Sequence, residues 1–167
     1  LGNGYPEAKE ESFPVLVAGG YGNAALYLKA KELNKKGVAF FGGQTAEDIL
    51  CVQEFEDLGW EVQCSTNDGS LGVKGLITDA IDPWIEKQDI SNLEFFVCGP
   101  GPMLHAIGDR ATSRDFTAWL SLDENMVCAV GACLTCVIKI KDGDGWKWAR
   151  CCKEGPVFES REVLWNE

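Results

Sequence analysis

The sequence predicts an α/β fold with a parallel sheet, followed by a small β-rich unit. Short apolar or β-branched runs alternate with helical patterns up to residue 121, and glycine-rich loops follow several of those runs. After residue 121 the rhythm changes to a hairpin pattern among clustered cysteines. We therefore expect an α/β domain at 13–121, with helices on both faces of its sheet, and a second domain at 122–167.

Each element of the α/β domain has its own signal. The apolar run Phe13–Ala18 stops at Gly19-Gly20, as a buried parallel strand does before its loop. Apolar residues at helical spacing predict a helix over 22–33. Further strands are predicted at 38–41, 60–64, 93–98 and 116–121, and further helices at 45–58, 75–86 and 103–111. In the second domain, 137–141 and 146–150 form a predicted hairpin around the turn Asp-Gly-Asp-Gly.

The composition excludes several classes of protein. With 15 basic and 26 acidic side chains the net charge is −11, which disfavours nucleic acid as a partner. The chain contains no apolar stretch of 18 residues, so we expect no membrane span. The first twenty residues also lack a basic and then apolar signal peptide. The sequence therefore predicts a soluble, cytoplasmic protein.

The strongest chemical signal is the cysteine pattern. Cys128, Cys133 and Cys136 have the spacing C-x4-C-x2-C, and Cys151-Cys152 follow on the far side of the hairpin, as in plant-type 2Fe-2S sites. Small residues between the first two cysteines let backbone amides turn toward the sulfurs. Two alternatives are a zinc site, which usually has two separated C-x2-C knuckles, and a C-x2-C redox couple. Neither accounts for Cys128.

The remaining cysteines divide into two groups. Spacing alone leaves open whether Cys151 or Cys152 is the fourth ligand; adjacent residues on a strand point to opposite faces, so we expect only one to reach a cluster. Cys51, Cys64 and Cys98 lie among apolar neighbours and are expected to fill the core as reduced thiols.

Glycine-rich loops indicate a nucleotide site. Three loops follow predicted strands and so meet at the same carboxyl edge of the sheet, where glycines let a pyrophosphate approach the backbone. The glycines of the first loop deviate from the G-x-G-x-x-G pattern, and each loop alone is also compatible with a tight turn. No Arg follows the second strand, which favours NAD over NADP. The residues assigned to this site are Gly19, Gly20, Gly22, Asn23, Asn67, Asp68, Cys98, Gly99 and Pro100.

No residue is assigned a catalytic role. The single histidine, His105, is expected at the surface or at a helix cap, and without a triad or a zinc-protease motif the sequence does not indicate a hydrolase. Trp146 and Trp148 alternate on one face of the hairpin, where they would shield a cluster or meet a partner.

Several motifs resemble the electron-transfer subunits of type B dihydroorotate dehydrogenases, in the ferredoxin-NADP reductase superfamily. The resemblance extends from Leu1 to about Trp165, and its most specific parts are the cysteine loop and the ending C-K-E-G-P-V-F. The other matching segments are V-L-V-A-G-G-Y-G at 15–22, N-D-G-S at 67–70, F-V-C-G-P-G-P-M at 96–103 and S-L-D-E-N-M at 121–126. Alanines at positions 18 and 129 replace glycines that are frequent in the family.

The resemblance implies a ferredoxin-NADP-reductase-like fold and specific sites. The fourth ligand of the family precedes x-x-G-P-V-F, which selects Cys152 and gives the metal set Cys128, Cys133, Cys136 and Cys152. Cys98 and the Gly99-Pro100 loop would lie near the nicotinamide, and 19–23 near the phosphates. Family members bind FAD mainly through an N-terminal barrel that is missing here, so that 1–12 would be the linker after it, 13–121 the NAD-binding domain and 122–167 the cluster domain.

The implied function is electron relay between NAD(H), FAD and an FMN-containing catalytic subunit through the cluster, in the oxidation of dihydroorotate to orotate during pyrimidine biosynthesis. Alternatives are a subunit of a bifurcating ferredoxin-NAD(P) reductase or of a sulfide dehydrogenase. A third hypothesis, from a different class, is a zinc-stabilised interaction domain without catalytic function. We expect neither nucleic acid nor membrane as a partner.

Overall fold

The computed structural model describes residues 1–165 and contains ten strands and four α-helices within that range. The strands are β1 (Phe13–Gly19), β2 (Val38–Gly43), β3 (Glu61–Thr66), β4 (Val73–Lys74), β5 (Leu93–Cys98), β6 (Thr117–Ser121), β7 (Val137–Asp142), β8 (Gly145–Arg150), β9 (Val157–Glu159) and β10 (Val163–Leu164). The helices are α1 (Gly22–Glu32), α2 (Val52–Asp57), α3 (Ile77–Ile85) and α4 (Gly101–Arg114).

Seven strands form the main sheet in the order β4-β3-β2-β1-β5-β6-β9, and every pair except β6–β9 is parallel. The central strand β1 shows why its sequence is continuously apolar. Val15 and Val17 pack into the core on the face covered by α3 and α4, whereas Leu16 and Ala18 pack into the core on the α1 and α2 face. A strand buried on both faces has no solvent side for polar residues. The predicted α/β class with a parallel sheet is confirmed.

The segment after β6 forms a second sheet and then returns to the first. Strands β10, β7 and β8 pair antiparallel, with the predicted hairpin β7–β8 at residues 137–150. The chain then passes through β9, which pairs antiparallel with β6 at the edge of the main sheet. Ile140, Ala149 and Val163 of the small sheet belong to the same buried cluster as the α3 and α4 face. The two sheets therefore share one hydrophobic core.

The predicted helix over 45–58 is interrupted. A single 3-10 turn occupies Ala46–Asp48, and α2 begins only at Val52. The Asp48 carboxylate accepts hydrogen bonds from the backbone N–H groups of Gln44 (3.0 Å) and Thr45 (2.9 Å), which closes the first turn on itself. Cys51 then adopts a left-handed conformation with φ 62°, which a continuous right-handed helix excludes.

Hydrogen bonds hold residues 1–12 against the main sheet. The buried Glu94 carboxylate of β5 accepts hydrogen bonds from the Lys9 backbone N–H (2.9 Å) and the Ser12 hydroxyl (2.7 Å). Lys35 Nζ donates to the carbonyls of Lys9, Glu10 and Ser12 at 2.5–2.8 Å. These bonds satisfy a buried carboxylate and hold the segment in one position. No helix within residues 1–165 is long and apolar enough to span a membrane.

Candidate electron-transfer site

The loop from Cys128 to Cys133 wraps around the first cysteine sulfur. Ala129 and Gly131 have left-handed backbone conformations, with φ of 56° and 79°. This curvature turns the backbone N–H groups of Ala132 and Cys133 toward Cys128 Sγ, each at 3.3 Å. Donors aimed at a sulfur favour its anionic form, and hydrogen bonds from this loop, that of Cys133 foremost, lower the pKa of Cys128 to about 6. The loop is therefore built to stabilise a thiolate.

A second pair of cysteines lies at the open end of the β7–β8 hairpin. Cys136 directly precedes β7, and Cys152 follows β8 by two residues. The two thiols interact, and the backbone N–H of Cys152 lowers the pKa of Cys136. The carbonyl of Cys136 also accepts a hydrogen bond from the Cys151 N–H at 2.9 Å, which ties the two hairpin ends together. Antiparallel pairing thus brings together cysteines 16 positions apart in the sequence.

The four cysteines form two pairs, Cys128 with Cys133 and Cys136 with Cys152. Within residues 1–165, no three side chains of His, Cys, Asp or Glu are grouped closely enough to hold a single metal ion. A structural zinc ion needs four ligands around one centre, whereas each iron of a 2Fe-2S cluster takes two thiolates. The paired arrangement, with amides directed at one sulfur, fits the binuclear group.

Cys151 and Cys152 are both buried and line the same cavity, but only the Cys152 thiol pairs with Cys136. Burial raises the pKa of the Cys151 thiol to about 12, chiefly through desolvation. Both residues lie in a turn after β8 rather than on a strand. Cys51, Cys64 and Cys98, expected in the core, are only half-buried and pack at the edge of the core on the α1 and α2 face.

A cavity of about 600 Å³ lies at the carboxyl edge of the main sheet, beside the cysteines. Its walls come from the loops after β1 and β5, the end of β6 and the turn that carries Cys151 and Cys152. Six of the nine residues assigned to the nucleotide site line it: Gly19, Gly20, Gly22, Cys98, Gly99 and Pro100. The cavity therefore connects the glycine loops directly with the cysteine turn.

The glycines of these loops allow two backbone segments to touch. A Cβ atom on Gly22 would lie 2.1 Å from the Cys98 carbonyl oxygen, and one on Gly99 would lie 2.9 Å from the Gly19 nitrogen. At Gly20, with φ 55°, a Cβ would meet nothing within 4 Å, so this residue faces open space. Gly22 and Gly99 hence serve loop packing, while Gly20 leaves room for a ligand.

A second cavity of about 490 Å³ shares Gly19, Gly20 and Pro100 with the first and extends over the ends of β2 and β3. Asn67 lines it, as does Asp48, which is not among the residues predicted from the sequence. None of its lining residues is Lys, Arg or His. One oxygen of Asp48 is bonded to Gln44 and Thr45, and the other makes no hydrogen bond within the described residues. The T-x-x-D spacing at 45–48, a capping motif, was the available signal.

Two assigned residues lie outside both cavities. Asn23 is buried in α1, where its amide donates to the Leu50 carbonyl at 2.7 Å. Asp68 is exposed and accepts hydrogen bonds from the Ser70 hydroxyl and backbone, which lower the pKa of its carboxyl. Among the residues that the structure describes, these two side chains therefore stabilise loops and do not line either cavity.

Apolar side chains surround the cysteine loop on the outside. Those with more than half of their surface exposed are Met126, Val127, Val130 and Leu134. Trp146 and Trp148 are also half-exposed on β8, in an edge-to-face pair beneath Lys139. Grouped exposed apolar residues mark a surface for another molecule.

Comparison with known proteins agrees with this geometry. Residues 123–164 match the family described as the iron-sulfur cluster binding domain of dihydroorotate dehydrogenase B. The electron transfer subunit of dihydroorotate dehydrogenase B (NAD(+)) from Caldanaerobacter subterraneus subsp. tengcongensis is 38% identical over 98% of this chain, and that from Geobacillus kaustophilus is 39% identical over the same share. The chain spans 63% of the length of each of these curated relatives.

The structural comparison extends over the same region. A solved NADH-dependent reduced ferredoxin-NADP oxidoreductase, studied for flavin-based electron bifurcation, superimposes with a TM-score of 0.80 and 28% identity. The match covers 98% of this chain and 58% of that protein, which confirms the expected reductase-like fold. In its motifs, its fold and its sequence, the chain is therefore similar to the electron transfer subunits of dihydroorotate dehydrogenase B, and residues 123–164 match their iron-sulfur cluster binding domain.

Proposed function

We propose that the chain carries the NAD(H) site and the 2Fe-2S site of an electron-transfer subunit that relays electrons between NAD(H), FAD and a partner flavoenzyme. The observation that carries this proposal is the pair of cysteine pairs beside a glycine-lined cavity, with Cys152 common to both. Nicotinamide exchanges two electrons as a hydride, a flavin can divide them, and an iron-sulfur cluster passes them singly. A nicotinamide site next to a cluster site suits this conversion from two-electron to one-electron transfer.

The proposed ligands are Cys128 and Cys133 for one iron and Cys136 and Cys152 for the other. Support comes from the two observed pairs and from the two backbone N–H groups directed at Cys128 Sγ. Hydrogen bonds to ligand sulfurs and shielding from solvent are the protein's means of tuning such a cluster. Cys136 and Cys152 are buried, whereas Cys133 lies at the surface, so the proposed cluster has one exposed edge.

Anaerobic reconstitution with iron and sulfide tests the cluster. We expect about two irons and two acid-labile sulfides per chain, and an EPR signal after reduction. The Cys136→Ala variant should lose the cluster, while Cys51→Ala, which changes a cysteine outside the two pairs, should keep it. A colourless protein with one zinc and no sulfide would instead support the zinc-stabilised interaction domain.

NAD(H) is the proposed nucleotide. The second cavity offers the carboxylate of Asp48 and lacks basic side chains, which disfavours the 2′-phosphate of NADP(H). The cavity beside Cys98 and Gly99 would hold the nicotinamide end, and Gly20 leaves space at the turn between the two cavities. FAD would be held in part by a domain outside this chain, as the match to 63% of the relatives' length allows.

The proposed partner is an FMN-containing catalytic subunit that oxidises dihydroorotate to orotate, so that the two electrons removed reduce NAD⁺ to NADH. The apolar residues around the cysteine loop would form its docking surface, because an exposed cluster edge must approach the partner's flavin. A Val130→Asp substitution should abolish association, while Leu28→Asp, on the exposed face of α1, should not. The assay is dihydroorotate-dependent reduction of NAD⁺ by the co-expressed subunits. The proposed location of the complex is the cytoplasm.

A bifurcating ferredoxin-NAD(P) reductase subunit is the second candidate. The observation that favours it is the superposition on the solved bifurcating oxidoreductase, with a TM-score of 0.80. The two candidates differ in their partner's substrate. Reduction of NAD⁺ by dihydroorotate with the co-expressed partner supports the first, and turnover that requires ferredoxin supports the second.

A further inference from the structure

The backbone of Arg150 connects the two members of one cysteine pair, Cys136 and Cys152. Arg150 is the last residue of β8, where it pairs with Val137, the neighbour of Cys136. Its carbonyl accepts hydrogen bonds from the N–H groups of Lys153 (3.0 Å), Glu154 (2.8 Å) and Gly155 (3.2 Å). These three bonds close the turn that carries Cys151 and Cys152. The position of Cys152 relative to Cys136 thus depends on the backbone at residue 150.

The side chain of Arg150 connects the same point to the other pair. Its Nη1 donates to the carbonyl of Gly131 at 3.0 Å, inside the loop between Cys128 and Cys133. Its Nε donates to Glu154 Oε2 at 2.9 Å, and Nη2 contacts the other oxygen of the same carboxylate. A planar guanidinium with two carboxylate bonds has little freedom left. The Gly131 carbonyl is therefore held at a fixed place.

The guanidinium also lies in the electrostatic range of the cysteines. Its Nη1 reaches the carbonyl of Gly131, which lies between Cys128 and Cys133, and its own backbone lies two positions before Cys152. About a third of its side chain is exposed, so its charge is only partly screened by water. A 2Fe-2S cluster with four thiolates carries net negative charge, and nearby charge shifts its reduction potential.

We propose that Arg150 is a positioning residue for the cluster, fixing the cysteine loop against the Cys136–Cys152 pair, and that its charge, partly offset by Glu154, raises the cluster's reduction potential. This inference rests on the proposed function, since it requires a 2Fe-2S cluster on these cysteines. It adds a residue that no ligand motif contains. The effect of charge can be separated from that of position, because neutralising Arg150 and neutralising Glu154 should shift the reduction potential in opposite directions, whereas both changes break the same ion pair.

The test is the midpoint potential of the reconstituted chain, measured by EPR-monitored redox titration. Arg150→Gln removes the positive charge and should make the potential more negative. Glu154→Gln removes the offsetting charge and should make it more positive. Arg150→Lys keeps the charge but loses the bidentate hydrogen bonds to Glu154. It should therefore broaden the EPR signal and shift the midpoint potential less than Arg150→Gln does. Lys147→Gln, with the same charge change near the hairpin tip beside Asp142, should match the wild type.

The outcomes separate this inference from the proposed function. If the wild type assembles iron and sulfide but Arg150→Gln and Glu154→Gln shift the potential in the same direction, or no further than Lys147→Gln does, the role of Arg150 is refuted and the cluster stands. Should Arg150→Gln alone lose its cluster, positioning is supported, and the charge effect is then decided by Glu154→Gln. A wild type without iron and sulfide overturns both proposals.

Discussion

The contact between Gly22 and Cys98 allows a quantitative prediction for Gly22→Ala. The new Cβ would lie 2.1 Å from the Cys98 carbonyl oxygen and 2.7 Å from the carbonyl carbon. The first distance is shorter by more than 1 Å than a carbon–oxygen contact of about 3.3 Å. Both atoms belong to the backbone of the sheet, so no flexible side chain can move away. The loop after β1 must therefore separate from β5.

The cost follows from these distances. Overpacking of this kind destabilises by up to about 3 kcal/mol, and the better helix propensity of Ala returns up to about 1 kcal/mol at this helical position. The net loss of about 2 kcal/mol lowers Tm by about 4–8 °C for a chain of this size. Because Gly22 and Cys98 both line the first cavity, NADH affinity should fall as well.

Thermal unfolding followed by circular dichroism, with calorimetric titration of NADH, measures both effects. The matched control is Gly101→Ala in the first turn of α4, where a Cβ would meet nothing within 4 Å. That variant should unfold at the wild-type temperature or up to about 4 °C above it. If Gly22→Ala were equally stable and bound NADH normally, the close packing of the two loops would not be what requires glycine there.

Three further predictions concern single side chains. Asp48→Asn should shift the affinity ratio of NADPH to NADH about tenfold toward NADPH, because it removes a negative charge facing the second cavity; titration of both nucleotides measures this. Cys151→Ala should retain iron and sulfide, since its thiol belongs to neither cysteine pair. Asp82→Asn should destabilise by about 1 kcal/mol in urea unfolding at pH 7, because it removes the paired bonds to Arg110, each 2.7 Å long. Arg110 lowers the pKa of the Asp82 carboxyl, so this stabilisation is present above the unfolded pKa of about 4 and is lost as the pH falls through the lower folded value.

Each of these has a contrary result. An Asp68→Asn control should leave the nucleotide preference unchanged, and an Asp48→Asn variant that behaves like it would remove Asp48 from the site. Loss of the cluster in Cys151→Ala would place that thiol among the ligands. If the difference between the Asp82→Asn variant and the wild type were as large at pH 2 as at pH 7, the ion pair would not be its source.

The sequence predicted the central strands well because their burial leaves a simple pattern. β1 and β5 are buried on both faces and apolar apart from Glu94, and their predicted and observed ranges agree within one residue. The strand β9 has only three residues, Val157–Glu159, and pairs with β6 across 36 positions. No local periodicity reveals such a pairing, because the partner, not the sequence of the short strand, determines it.

At the candidate site, residues in contiguous motifs could be predicted from their spacing, whereas residues whose position depends on a turn or a helix could not. The glycine loops and the cysteine spacing are contiguous motifs, so their residues could be named in advance. The dinucleotide-binding pattern has its acid at the end of the second strand, so it does not predict Asp48, whose carboxylate reaches the cavity through a 3-10 turn closed on Gln44 and Thr45. Asn23 follows the glycines in sequence, yet its place in α1 turns it inward, to Leu50.

The return of the chain through β9 makes the cysteine segment an insertion between neighbouring strands of one sheet. Both of its ends are hydrogen-bonded to the same framework, at β6 and at β9. A protein cut after Ser121 would expose the edge of β6 and the apolar face beneath the small sheet, which favours aggregation. Replacing this segment would therefore require replacing the sheet edge that receives it, and that edge also fixes the distance between the glycine-lined cavity and the cysteines.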